Sequence, residues 1–249
     1  MAKLNPASGD LLEFCGSKPA PQSMTADSLR DPTTANRIAS TLAGRVLDAE
    51  IAPGARLREV PLAQEFGVSR GSIREALRIL ERDGVVRIEA RRGAQVTRLS
   101  TDELIEIFQV RTVLLGLTMA LFCDQCDDAD LDWMRGRIDK MKRAMREPDP
   151  KAAAIHAEAS TEMVMRALSR GGNQRLARLL TQMSAQVARY TRLGLSSAER
   201  RKQSLETWRS LVQALEQRDN KAAERGGRTL VTNTFRFALG QIAGLNPQP

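Results

Sequence analysis

Residues 53–96 read PGARLREVPLAQEFGVSRGSIREALRILERDGVVRIEARRGAQV, and the punctuation of this stretch decides the fold. Pro53-Gly54 is a turn signal. Leu62, Ala63 and Phe66 share the inner face of a short helix over roughly 59–66, and Gly67 follows it in the place of a left-handed C-cap. Ser69 suits the N-cap of a helix over 70–83, whose inner face is Ile73, Ala76, Leu77 and Leu80. Val68 plugs the angle between the two helices. Gly84 closes the second helix. Val85-Val86-Arg87-Ile88-Glu89 then alternates with a period of two, Arg91-Arg92-Gly93 turns the chain, and Ala94 to Thr97 can pair back as a small hairpin. Ahead of the stretch a further helix starts at Thr34, with Ile38, Leu42 and Val46 on one face. Helix, helix, glycine turn, helix and hairpin make the winged helix-turn-helix pattern.

The chemistry at the start of the third helix suits a nucleic acid. A helix N-terminus carries free N–H groups and partial positive charge, which favour phosphate. Arg70, Gly71, Ser72 and Arg74 fall on its outer side. Arginine can grip guanine O6 and N7 with two hydrogen bonds, and Gly71 removes bulk where backbone must approach a duplex. Arg91 and Arg92 stand at the hairpin tip, where a wing reaches an adjacent groove or the backbone. From Arg56 to Arg98 there are ten arginines, no lysine and six acids, an excess that is half of the chain's formal charge of +8. Charge runs are more often solvated surface than sites. For Arg78 and Arg82, deeper in the helix, solvation or pairing with Glu75 or Glu81 competes evenly with a DNA role. The expected DNA-binding residues are therefore Arg70, Gly71, Ser72, Arg74, Arg91 and Arg92.

Outward from this unit, residues 1–30 hold Pro6, Pro19, Pro21, Gly9 and Gly16 without periodicity and are expected to be a flexible tail. On the other side, Ser100-Thr101-Asp102-Glu103 resembles a capping box and opens a long helix to about Cys123. No strand is expected from there to Ala243. Helical segments fit about 129–146, 151–169, 173–194, 197–217 and 219–242, which makes an antiparallel all-helical bundle. The expected fold is mainly α: a flexible tail at 1–30, a winged helix-turn-helix at 31–98, and a helical effector-binding and dimerisation domain at 99–245. The apolar share of 42% allows a full core, and the 27% charged share is ordinary. No run of about 18 apolar residues suggests a membrane span, and no secretory signal is visible. Three cysteines are too few for a disulfide framework, so a cytoplasmic setting is expected.

The quoted stretch resembles the DNA-binding domain of the GntR family of bacterial regulators in its PG turn, its LA..FGVSR turn, the REAL..L...G of the third helix and its RRGA.V wing. IFQVRTVLLGLTMAL at 107–121, with Arg111, looks like the first helix of the FCD effector domain found in the FadR-like subfamily. RALSRGGNQRLARLL at 166–180 resembles that domain's GN helix junction. The resemblance implies a ligand-responsive transcription regulator, a homodimer on a short pseudopalindromic double-stranded DNA operator, and a small-molecule effector in the bundle. It also implies roles in DNA contact for Arg70 and Arg74, and by position for Gly71 and Ser72.

Many FCD domains hold a divalent metal through an Asp, a His four residues later and two further histidines. In register with the GN junction, Ser160, Val164, Trp208 and Leu230 fall at those positions, and a shift by one residue gives Thr161, Met165, Thr207 and Thr229. Neither set supplies metal ligands, so no metal and no other cofactor is expected. An anionic effector would then need Arg111, Arg189 or another buried base. The expected pocket is Arg111, Ser160, Val164, Arg189, Trp208 and Leu230, suited to an organic, acyl or aromatic acid, unless Trp208 simply fills it.

Cys123 and Cys126 form a CxxC that reads first as packing and second as a redox pair. His156 reads as a surface or half-buried helix residue, and Met134, Met141, Met145, Met163, Met165 and Met183 as adaptable core. No GxSxG, P-loop, HExxH or dinucleotide fingerprint is present, so no enzyme is expected. Two alternatives stay open: an active site within the bundle, which paired carboxylates or a metal would favour, and a DNA-binding protein without an effector, which a fully packed bundle would favour.

Overall fold

The computed structural model of the chain describes residues 33–89 and 93–245. The tail expected at 1–30 and the wing arginines Arg91 and Arg92 lie outside the described residues. The winged unit begins with α1 (Thr34–Leu47), where Thr33 Oγ1 accepts from the N–H of Asn36. Next come β1 (Arg56–Leu57), α2 (Glu59–Phe66), α3 (Arg70–Arg82), β2 (Val86–Glu89) and β3 (Gly93–Val96). Gly67 caps α2 at φ +63°, a conformation that costs a side-chain-bearing residue about 1 kcal/mol or more. Ser69 Oγ then accepts from the N–H of Ser72 and starts α3. Leu42, Ile73, Ala76, Leu77, Leu80 and Val86 close the core. The hairpin pairs Val86 with Val96 and Glu89 with Gly93. A third strand joins it that the sequence reading does not contain: β1 pairs with β3, giving the antiparallel order β1-β3-β2.

The bundle consists of α4 (Thr101–Gln125), α5 (Asp128–Ala144), α6 (Asp149–Arg170), α7 (Gln174–Leu193), α8 (Ala198–Glu216) and α9 (Asn220–Leu245). The capping box at α4 is formed as read. Ser100 Oγ accepts from the N–H of Glu103, and the Glu103 carboxylate accepts from the N–H of Ser100. Helix α4 packs along α9, where Phe108 and Phe235 stack with ring centroids 4.5 Å apart. By length and a mean hydropathy of 1.6, α4 is apolar enough to cross a membrane, although no single uninterrupted apolar run is that long. Its inner residues Phe108, Leu115, Met119 and Phe122 are core of the bundle. Met134, Met141 and Met163 are fully buried, whereas Met145 and Met165 are exposed.

Winged unit and bundle meet at α7. Arg192 of α7 is ion-paired with Asp48, the residue that follows α1. Gln182 Nε2 donates to the carbonyl of Arg82 at 3.1 Å. Gly84, at φ +71°, lies so close to Gln186 that a Cβ there would be 2.1 Å from its side chain. Glycine at 84 thus both ends α3 and admits the neighbouring helix.

Candidate DNA-binding surface and effector cavity

Helix α3 is built to present its first turn. Its apolar stripe is buried, and the opposite side of the turn is open: Arg70, Gly71 and Arg74 are exposed and Ser72 is half-buried. A Cβ at Gly71 would meet only Ser69 Oγ at 3.5 Å, an ordinary contact, so nothing within the fold requires glycine there. Arg74 is not idle. Its Nε and Nη2 donate to the two carboxylate oxygens of Glu59 at 3.1 and 2.8 Å, a fork that holds the guanidinium across the α2–α3 angle. The hydrogen bond from Arg74 holds the Glu59 carboxyl below its usual pKa. Arginine has five N–H donors, so Nη1 and the outer hydrogen of Nη2 are left for a second partner. Arg78 is exposed, and Arg82, 74% exposed, lies 3.4 Å from Asp83.

Inside the bundle is a cavity of about 860 Å³, lined by residues of α4, α6, α7, α8 and α9 and by Leu47 of α1. Trp208 forms part of its wall and does not fill it. Among the expected pocket residues, Arg111, Ser160, Val164, Trp208 and Leu230 line it. Arg189 does not: its guanidinium lies over the Tyr190 ring, 4.8 Å from the centroid, and belongs outside the set. Ser184, Arg192 and Ser204 line the cavity and were missed by sequence reasoning.

Arg111 is the notable group. It is 9% exposed, Nη2 donates to Ser184 Oγ at 3.2 Å, and Nε and Nη1 have no partner. Burial pushes its pKa down to about 10, which leaves it cationic at neutral pH. A buried guanidinium with unmade hydrogen bonds is costly; Nε and Nη1 lie on different edges, so a carboxylate makes two parallel bonds by pairing Nη2 with one of them.

The four positions that match the metal ligands of related domains do not fit a metal. Trp208 Nε1 donates to Ser160 Oγ at 3.1 Å, and Val164 and Leu230 have no donor atoms. Among the described residues no three His, Cys, Asp or Glu gather into a possible ligand set. His156 is fully buried rather than at the surface, with Nε2 3.0 Å from Ser204 Oγ. Cys123 and Cys126 are buried, and burial pushes the Cys123 thiol up to about 11. Such thiols are poor redox nucleophiles, which favours the packing reading.

A family model described as bacterial regulatory proteins, gntR family, matches residues 34–96, and one described as FCD domain matches residues 106–233. The chain is similar to the uncharacterized HTH-type transcriptional regulator YdhC of Bacillus subtilis, with 34% identity over 100 residues, 40% of this chain and 45% of that one. It thus matches less than half of that relative's length. It is also similar to the "Probable D-xylose utilization operon transcriptional repressor" of Paenarthrobacter nicotinovorans, with 25% identity over 201 residues, 80% of this chain and 86% of that one. Its fold is like that of E. coli McbR/YncC, with a TM-score of 0.72 at 18% identity over 84% of this chain and 99% of that one.

Proposed function

The chain belongs to the GntR family of bacterial transcriptional regulators and carries the FCD domain, and from that premise we propose that it binds a short pseudopalindromic operator as a homodimer in the cytoplasm, under control of an organic acid held in the bundle without a metal. The observation that carries the acid effector is Arg111, whose Nε and Nη1 are unpartnered at the wall of a largely apolar cavity. Arg70, Gly71, Ser72 and Arg74 meet the major groove, and Arg91 and Arg92 follow from the wing. Glu59 keeps Arg74 extended towards the groove and leaves its outer edge for guanine. The homodimer uses the outer side of α4, where Val110 and Val113 are exposed one turn apart.

Arg70→Ala and Arg74→Ala are each expected to weaken operator binding by about 1–3 kcal/mol, the cost of one bidentate base contact. Gel-shift titration on an operator selected from random duplexes measures this, and wild-type affinity in both variants would contradict the assignment. Arg111→Gln is expected to bind that operator as the wild type does while losing its response to carboxylic acids. An acid response that survives in Arg111→Gln would refute the effector site.

A further inference from the structure

Two cavity-wall residues belong to the machinery that holds the DNA-binding unit. Leu47 is the last residue of α1, so the winged unit itself forms part of the wall. Arg192 lines the cavity from α7, and its Nη1 is bonded to the carboxylate of Asp48, next in sequence to Leu47. The pair is partly open, with side-chain exposures of 26% for Arg192 and 51% for Asp48.

Along the same helix, Ser184 holds Arg111. Ser184 and Arg192 are eight residues apart, which is a little over two turns and about 12 Å of helix. Ala185, Ala188 and Thr191 line the wall between them. The cavity wall therefore holds one guanidinium with unpaired donors and, about two turns further along α7, one whose anion is lent by the winged unit. Glu158 and Glu162 also line it, but on α6, where Lys140 lies 2.8 Å from Glu158 and Arg137 lies 3.0 Å from Glu162.

Resting on the reading of the cavity as an acid-effector site, we propose that its effector is a dianion with carboxylates at both ends of an apolar chain. The second carboxylate is the signal: it replaces Asp48 on Arg192 and frees α1 from α7. A ligand changes affinity elsewhere only by its different affinity for two states, and this exchange supplies the difference. The uncharged contacts at the other end of the α7 junction, Gln182 to the Arg82 carbonyl and Gln186 to Gly84, remain as the pivot. A monoanion satisfies Arg111 and leaves the Arg192–Asp48 pair intact.

The test compares matched probes, octanoate with suberate and decanoate with sebacate, on the full chain. Thermal melting reads binding, fluorescence anisotropy reads operator affinity, and hydrogen exchange reads the end of α1. All four acids are expected to raise the melting temperature of the wild type and to fail on Arg111→Gln. Only the diacids are expected to change operator affinity and to speed exchange over residues 45–52. Asp48→Asn without ligand is expected to match the diacid-bound wild type in the sign of its affinity change, to differ from the free wild type by up to about fivefold, and to respond no further to diacids. Monoacids that change operator affinity as much as their diacid twins, or an Asp48→Asn protein that keeps the full diacid response, overturn the proposal. If no acid binds the wild type, the acid-effector reading falls with it. If acids bind through Arg111 but operator affinity ignores Asp48, only the present inference falls.

Discussion

His156 has no exposed surface, and its Nδ1 has no hydrogen-bond partner. Burial pushes its pKa down to about 4, helped by the nearby charges of Arg201 and Arg200. The unfolded chain, with a histidine near 6.5, takes up the proton first as pH falls. The neutral imidazole's share of stability is therefore complete above pH 6.5 and is lost as pH drops towards 4, by roughly 3 kcal/mol at the end of that window. Thermal melts from pH 7.5 to 4.5 should show that loss in the wild type and a much flatter profile in His156→Gln, which keeps a polar partner for Ser204. Parallel profiles would mean that His156 is not the group that titrates. The burial of His156 was not legible, because a lone histidine among helix-forming neighbours carries no exposure signal. Arg111 was better marked: Phe108 and Leu115, one turn either side of it, are core residues, so its face points inward. Arg189 adjoins Tyr190 in sequence and shares its ring rather than the cavity.

At the scale of elements, the start of α5 is where sequence and structure diverge most usefully. Asp127 and Asp130 cap each other reciprocally, a capping box with aspartate in the place usually taken by glutamate. Asp130 is fully buried and also accepts from Arg166 Nε at 2.6 Å and Arg170 Nε at 2.8 Å, so α5 is tied to α6 through one carboxylate. Burial works against that charge, but the bonds from Arg166 and Arg170 outweigh it and hold the carboxyl below its usual pKa. Asp130→Ala removes the N3 half of the capping box and the anion of Arg166, while Arg170 keeps only its bond to Asp127 at 2.6 Å. An expected cost of about 2–3 kcal/mol, read by urea unfolding, follows from the loss of half the capping box and of a buried carboxylate with half-exposed partners. In the sequence this stretch is only the gap between a helix that ends near Cys123 and one that starts near 129, because the arginines that complete the cluster are about forty residues away. Strand β1 was invisible for a related reason: two residues cannot show a period, and its place is set by β3. The helices were legible because their apolar stripes repeat over many turns.

For the whole molecule, the question is what α4 does with its outer side. One side is core against α9, yet Val110 and Val113 stay 45% and 49% exposed in a helix of high mean hydropathy. A second copy meeting the first across this stripe would cover both pairs of valines at once, as a self-complementary two-fold interface does. It would also set two α3 helices to read two half-sites of one operator. Val113→Glu places like charges opposite each other in such an interface and leaves the bundle interior untouched. The expected outcome is a shift from dimer to monomer in light scattering after gel filtration, with no loss of helical circular dichroism. Operator binding then carries a second readout. Affinity falls with salt at about 0.9 log units per log unit for each phosphate neutralised, so the variant's slope should be close to half that of the wild type. A Val113→Glu protein that remains dimeric and keeps the wild-type salt slope would place the dimer interface on some other face of the bundle.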